Sequence, residues 1–163
     1  MPAPPEPSRR SSPPLAWAAV ISRELLEPLG ARWIHTLGVV ERARRVGPTL
    51  FPTGEANMLA AAAYLHDIGY SPVLQRTGFH PLDGARFLRS KGHERLARLV
   101  ARHTGARFEA RERGLADELA EFGPERSLVA SALTYCDLTT SPHGHQIESV
   151  NRLAEITSRY GTE

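Results

Sequence analysis

The chain has 163 residues, which is enough for one domain with a hydrophobic core and too few to predict two. Its hydrophobic content is 41%, and the formal net charge is only +2, with almost every positive charge on an arginine. No predicted helix has a basic face interleaved with aromatic residues, so duplex nucleic acid is excluded as a partner. The single cysteine, Cys136, excludes an internal disulfide and a cysteine-based zinc site.

The N-terminal segment differs in composition from the rest of the chain. Residues 1–14 contain six prolines and are predicted to be a disordered tail, whereas residues 15–163 are predicted to form the folded domain. The apolar run after the tail is too short for a secretion signal and lacks a cleavage site. No stretch reaches the roughly 18 apolar residues of a membrane span. We therefore expect a cytoplasmic protein without a membrane partner.

Helical spacing describes the apolar residues that follow the tail. The first run of apolar residues at this spacing predicts a helix that ends at the segment Pro28-Leu29-Gly30. A second helix is predicted from about Arg32 to Val46, with Gly47 and Pro48 ending it. This helix places His35 on its apolar face.

The third predicted helix is the most apolar segment of the chain. Eight consecutive apolar residues, Met58 to Leu65, run directly into His66 and Asp67. A helix that is apolar on every side must be buried. Two ionisable groups at its end then need compensation, and a bound metal would provide it. Thr53 is the predicted N-cap, and Gly69 is predicted to stop the helix.

A ten-residue loop from Tyr70 to Phe79 is predicted to form a wall of the site. The next helix is predicted to begin at Pro81, with His80 just before it. A further helix, which follows a glycine, places His103 on the same stripe as its leucines and valine.

The last predicted elements complete an all-helical pattern. A short helix is expected near residues 115–122, and another is expected to begin at Pro124 and Glu125 and to place Asp137 at the end of its apolar stripe. A final helix would have one face made of Ile147, Val150, Ala154 and Thr157. No strand alternation and no internal repeat is found. The predicted fold is therefore a single all-α bundle.

Six polar residues lie on apolar helix faces or at helix ends. Taken singly, such a histidine is usually a core residue bonded to a backbone carbonyl, and such an aspartate is usually a cap. Together, neutral imidazoles and carboxylates from five helices are typical of a transition-metal site. The candidate metal ligands are His35, His66, Asp67, His80, His103 and Asp137.

The order of these residues carries a family resemblance. His35, then His66 and Asp67 within an HDIG motif, then Asp137, resemble the HD superfamily of metal-dependent phosphohydrolases, which is an all-α fold. The resemblance covers roughly residues 30 to 160. It implies that these four residues hold one metal ion.

His80 and His103 fall where binuclear members of this superfamily place ligands for a second ion, which Asp67 would bridge to the first. The stretch HPLDGARFL and the sequence HTG at residue 103 are similar to those of HD-domain diadenosine tetraphosphatases. Those enzymes have a lysine where this chain has Tyr70. The resemblance implies two divalent transition-metal ions per chain, with Fe, Mn, Co, Ni or Zn as candidates and Mg as a further option.

The resemblance also implies a reaction. The expected function is hydrolysis of a phosphate ester or anhydride of a small phosphorylated substrate, with a nucleotide as the expected case. A bound cation lowers the pKa of water to about 7 and so supplies hydroxide. Asp67 would be the catalytic residue that bridges the metals and orients the nucleophile, and Tyr70 and Arg76 are the candidate substrate-binding residues. Two alternatives remain: a di-iron oxygenase with the same ligands, and a nucleotide-sensing module without turnover.

Overall fold

The computed structural model describes residues 15–148, and all regular secondary structure within them is helical. The α-helices are α1 (Leu15–Leu26), α2 (Ala31–Leu50), α3 (Thr53–Leu65), α4 (His80–Ser90), α5 (Glu94–Ala101), α6 (Ala106–Glu112), α7 (Ala116–Leu119) and α8 (Leu128–Leu138). Short 3-10 turns follow α1 (Glu27–Leu29) and α3 (Ile68–Tyr70). The all-α prediction is confirmed. The predicted tail and most of the predicted final helix lie outside the described residues.

Helix α3 lies at the centre of the bundle. Its residues from Met58 to Leu65 are all buried, and α1, α2, α5 and α8 pack around it. A continuous apolar surface is stable only when it is enclosed in this way. Leu59 and Leu65 are completely inaccessible to solvent, so truncating either to alanine is expected to cost about 2 to 5 kcal/mol. The C-terminus of α3 therefore delivers whatever follows it into the interior.

Helix α2 extends beyond its predicted end at Val46. It continues through Pro48 to Leu50, and the Phe51 amide closes it by donating to the Gly47 carbonyl at 2.9 Å. Pro48 has no amide to donate to the Arg44 carbonyl, yet the helix continues for two residues beyond it. The prediction that Gly47 and Pro48 end the helix was therefore wrong.

Both predicted ends of α3 also differ from the structure. Pro52 occupies the N-cap position, and Thr53 is the first helical residue and makes no capping hydrogen bond. The helix ends at Leu65 with His66 as its C-cap, so Gly69 does not stop it. Gly69 instead lies in the 3-10 turn, three residues further on.

The role of Gly69 is to allow close packing against α4. A Cβ atom at this position would overlap the His80 carbonyl oxygen and lie 2.8 Å from the Gly84 amide nitrogen. Gly84 is constrained more mildly, because its Cβ would lie 3.3 Å from the Ile68 side chain and 3.3 Å from that of Val100. The two glycines let the start of α4 pack directly on the turn that follows α3.

Three other boundaries were predicted differently. Helix α4 begins at His80 rather than at Pro81, and α8 begins at Leu128 rather than near Pro124. The Ser127 hydroxyl caps α8 by accepting a hydrogen bond from the Ala130 amide at 3.2 Å. The charged segment after α5 forms α6, which was not predicted. Nowhere between residues 15 and 148 does a helix have the length and hydropathy to cross a membrane.

Candidate metal centre

The six candidate ligands come together in two clusters of three. The first contains His35 from α2, His66 after α3, and Asp137 from α8. The second contains Asp67 after α3, His80 from α4, and His103 after α5. Within each cluster the candidate ligand atoms lie within 4.8 Å of one another. All six residues are buried except His80, which is partly exposed.

The carboxylate of Asp67 lies between the two clusters. Its Oδ2 atom is 3.3 Å from Nε2 of His66 and 4.0 Å from Nε2 of His35. Its Oδ1 atom is 3.4 Å from Nε2 of His80 and 3.8 Å from Nε2 of His103. Each oxygen therefore faces a different cluster, which is the arrangement that a carboxylate bridging two ions requires.

The other contacts within the clusters are also short. Oδ1 of Asp137 is 3.0 Å from Nε2 of His35 and 3.7 Å from Nε2 of His66. The Nε2 atoms of His80 and His103 face each other at 3.4 Å. Two imidazole lone pairs repel at this distance unless a proton or a cation lies between them.

Backbone carbonyls fix the tautomers of three histidines. Nδ1 of His35 bonds the Ser141 carbonyl at 2.9 Å, that of His66 bonds the Ala63 carbonyl at 2.7 Å, and that of His103 bonds the Val100 carbonyl at 2.6 Å. A carbonyl oxygen can only accept, so each Nδ1 carries a proton and each Nε2 faces the centre, where it would offer a lone pair to a metal ion.

One atom of the centre lacks the partner that its burial demands. Nε2 of His66 is buried and, among the described residues, has no hydrogen-bond partner. Leaving such a group unsatisfied costs about 1 to 3 kcal/mol. A metal ion would satisfy it, and the donor set of imidazoles and carboxylates suits a divalent transition metal. The clustered imidazoles and carboxylates therefore fit the divalent metal that the sequence predicted.

The metal-free centre is strongly polarised. Burial opposes protonation of His66, but the carboxylates of Asp67 and Asp137 outweigh it and raise the pKa of His66 to about 9. Burial lowers the pKa of His80 to about 3 and also lowers that of His103. These two imidazoles are therefore neutral at pH 7, as ligands must be.

The two carboxylates stay ionised despite their burial. Burial alone would raise the pKa of Asp67, but His66, His80 and Arg32 hold it well below its usual range. The pKa of Asp137 is also lowered, because the hydrogen bond from His35 and the charge of His66 outweigh burial. Both groups thus offer the anionic oxygens that a cation binds.

Arg32, to which the sequence analysis assigned no role, reaches the same place. Its Nη1 donates to Oδ2 of Asp67 at 2.9 Å, and its guanidinium carbon lies 3.9 Å from the centroid of the Tyr70 ring. The Tyr70 ring stacks on His80, with centroids 4.0 Å apart and planes 15° from parallel. Two groups this close to one ring cannot share a face of it, so Tyr70 lies between Arg32 and His80. The one available signal was that Arg32 precedes His35 by three residues on the same helix face.

The loop from Tyr70 to Phe79 is held in place by Asp83, a second residue that the sequence analysis missed. The buried Asp83 carboxylate accepts hydrogen bonds from the amides of Arg76, Thr77 and Gly78 at 3.0 to 3.2 Å. The Arg76 guanidinium is exposed and donates to the Gln75 carbonyl at 2.8 Å. The structure thus brings Tyr70 to the centre and places Arg76 on the loop surface, and the substrate-binding role of Arg76 stays a prediction.

The segment after α8 supplies the carbonyl that orients His35. It packs tightly on α2, because a Cβ atom on Gly38 would lie 2.5 Å from the Gly144 carbonyl oxygen and 2.7 Å from Cγ2 of Thr140. The Ser141 carbonyl reaches His35 only because the backbone approaches α2 this closely. Gly38 therefore supports the first cluster without touching it.

Comparisons with known proteins agree with this geometry at the level of the family. Neither the curated proteins nor the solved structures include a match to this chain. The family described as HD domain matches residues 32–141, which is more than half of the chain and includes all six clustered ligands. The chain therefore belongs to the HD domain family.

Proposed function

We propose that this protein is a metal-dependent phosphohydrolase that cleaves a phosphate ester or anhydride of a small molecule, with a nucleotide as the expected substrate. HD domains are in general metal-dependent phosphohydrolases. The observation that carries the proposal is the position of Asp67, whose two oxygens each face one of two three-residue clusters. Two adjacent cations are a common arrangement for hydrolysing phosphate bonds.

The ligands divide naturally between two ions. His35, His66, Asp137 and Oδ2 of Asp67 would hold one, and His80, His103 and Oδ1 of Asp67 would hold the other. When bound, divalent cations would lower the pKa of water and neutralise phosphoryl oxygens. Fe, Mn, Co, Ni and Zn suit these ligands, whereas Mg²⁺ prefers an all-oxygen set.

The chain's own residues prepare the centre for this chemistry. Hydrogen bonds to the Ser141, Ala63 and Val100 carbonyls orient three imidazoles so that each Nε2 faces the centre. The buried surroundings strengthen every charge interaction at the centre. His66, whose pKa is about 9 without metal, must lose its proton when a cation binds, so metal binding should release a proton near pH 7.

Metal analysis followed by a hydrolysis screen tests the proposal. Freshly purified protein should contain two metal equivalents per chain, and with added Mn, Fe, Co, Ni, Zn or Mg it should hydrolyse a nucleotide or a dinucleoside polyphosphate. Chelation should abolish turnover and lower Tm. Metal at 100 times its Kd stabilises by about 2.7 kcal/mol, which corresponds to roughly 5 to 11 °C for a chain of this size.

Single-site variants separate the two ions. His80→Ala and His103→Ala should each keep the fold and about one metal equivalent while losing most turnover, whereas His35→Ala should disturb the first ion. Full activity with one metal per chain would leave a single-metal phosphohydrolase that uses His35, His66, Asp67 and Asp137. Oxygen consumption in place of hydrolysis would establish the di-iron oxygenase instead. Nucleotide binding without turnover would establish the sensing module.

A further inference from the structure

Arg32 connects the buried metal centre with its solvent-accessible edge. The Arg32 side chain is 37% exposed, whereas the Asp67 side chain to which it donates is only 4% exposed. The guanidinium therefore contacts the buried Asp67 carboxylate while part of the Arg32 side chain remains accessible to solvent. The cation lies where a group approaching the two clusters from solvent would meet it.

Contacts with neighbouring side chains fix the position of the Arg32 guanidinium. Its guanidinium lies 3.9 Å from the Tyr70 ring centroid, and Tyr70 in turn stacks on His80 at 4.0 Å. A cation over an aromatic ring gains about 0.5 to 2 kcal/mol. The stack of Arg32, Tyr70 and His80 thus holds the guanidinium in place before any ligand binds.

The guanidinium also keeps hydrogen-bonding capacity for a ligand. It has five N–H donors, and among the described residues its hydrogen bond is the one from Nη1 to Asp67. Planar guanidinium groups bind phosphate through two parallel hydrogen bonds, which ammonium groups cannot do. With a divalent ion in each cluster, the positive charge of the centre would exceed the negative charge of the Asp67 and Asp137 carboxylates, which favours an anionic ligand.

We infer that Arg32 binds the phosphoryl oxygens of the substrate at the mouth of the metal centre, and that the Tyr70 ring positions it for this contact. The inference rests on the proposed function, because it assumes that a phosphorylated molecule approaches the two clusters. It assigns Arg32 to ligand recognition and Tyr70 to positioning.

Phosphate affinity tests this assignment without requiring turnover. Binding of inorganic phosphate to the metal-loaded, full-length protein is measured by calorimetry, and the metal content of each variant is measured in parallel. Arg32→Ala should weaken phosphate binding at least tenfold while both metal equivalents remain, and Arg32→Lys should restore only part of the affinity. For any substrate that the hydrolysis screen identifies, KM should rise in Arg32→Ala.

The chain offers a matched control on the same helix. Arg42 lies 5.2 Å from the centroid of the Tyr135 ring and donates to the Tyr135 hydroxyl at 2.9 Å. Arg42→Ala therefore removes the same charge and the same kind of ring contact from α2 without touching a candidate ligand. It should bind phosphate as the wild type does.

Variants of Tyr70 test the positioning role. Tyr70→Phe keeps the ring and should retain phosphate affinity within about twofold, whereas Tyr70→Leu should lose most of what Arg32→Ala loses. Equal losses in both variants would assign the effect to the hydroxyl and overturn the positioning role.

Three results would overturn the role of Arg32. One is wild-type phosphate affinity in Arg32→Ala with both metals bound, and another is an equal loss in Arg42→Ala. The third is loss of metal from Arg32→Ala, which would make Arg32 a structural partner of Asp67. If Arg32→Ala fails to fold, the Tyr70→Leu variant provides the test, because an unchanged phosphate affinity in that variant contradicts the inference. A chain that binds phosphate through Arg32 but hydrolyses nothing would refute the proposed function alone.

Discussion

Replacing Gly69 by alanine should damage one metal cluster and spare the other. The added Cβ would overlap the His80 carbonyl oxygen and lie 2.7 Å from the carbonyl carbon. Ordinary contacts need about 3.5 Å, so the first turn of α4 must withdraw by roughly 1.5 Å. His80 moves with it, away from Oδ1 of Asp67, from which its Nε2 now lies 3.4 Å.

The expected loss of stability is the cost of inserting an extra methyl group into a closely packed interior. Such insertions cost about 1 to 3 kcal/mol, which lowers Tm by roughly 2 to 12 °C for a chain of this size. Metal content provides the sharper readout. Gly69→Ala should keep about one equivalent, because no hydrogen bond, ion pair or ring contact joins His35, His66 or Asp137 to the described residues of α4, and it should lose the ion that the second cluster would hold.

Two further variants control this experiment. Gly54→Ala adds a methyl group at a position with nothing within 4 Å, so both metals and Tm should be retained or slightly improved. Gly84→Ala compresses the same interface more mildly, with contacts of 3.2 to 3.3 Å, and should give an intermediate loss. Two metal equivalents with wild-type affinity and an unchanged Tm in Gly69→Ala would refute the packing argument.

Two other predictions address the surroundings of the centre. Gly38→Ala should push the Ser141 carbonyl away from His35 and lower affinity for the first ion by about 10- to 100-fold; wild-type affinities in a competition titration with a metallochromic chelator would contradict this. The hydrogen bond from Arg95 lowers the pKa of Glu55, so this pair stabilises the fold above the ordinary value of 4.5 and its contribution is lost as the pH falls below it. Because Glu55 is 41% exposed, Glu55→Gln should cost at most about 1 kcal/mol at pH 7 and less at pH 3. Equal differences in denaturant midpoint at both pH values would show that the charge is irrelevant.

The six clustered residues could be named from the sequence because each conflicts with its surroundings. A histidine such as His103 on an apolar stripe, or His66 after eight apolar residues, departs from the locally preferred residue type. Departures of this kind are visible without a structure. The order of the residues along the chain then pointed to the family that the comparison shows.

Arg32 could not be found in this way, because one cation in the first turn of a helix opposes the helix dipole by only about 0.3 to 1 kcal/mol, which is too weak a conflict to mark a functional residue. Its importance comes from a contact with Asp67, which lies 35 residues away. The exposure of 37% would by itself suggest a solvated side chain. Only the packing of α2 against the turn after α3 reveals the pairing.

The predicted helix boundaries were wrong for a related reason. Glycine can end a helix by adopting left-handed backbone angles, and it can also let two backbones pack closely. Local sequence does not distinguish these two roles. Gly69 was predicted to end α3, but it serves close approach to His80 and Gly84, both more than ten residues later. Pro48 was predicted to end α2 but lies within its last turn.

The bond from His35 to the Ser141 carbonyl joins residues 106 positions apart, and the contact of His35 with Asp137 spans 102. Closing a loop of about 100 residues costs roughly 4 kcal/mol of chain entropy. During synthesis, His35, His66 and Asp67 leave the ribosome long before Asp137 and Ser141 do. The first cluster is therefore incomplete until most of the chain has been made, and a metal ion held there would be captured after the long-range folding steps rather than before them. Stoichiometric metal in a purified sample then reports molecules that have finished folding.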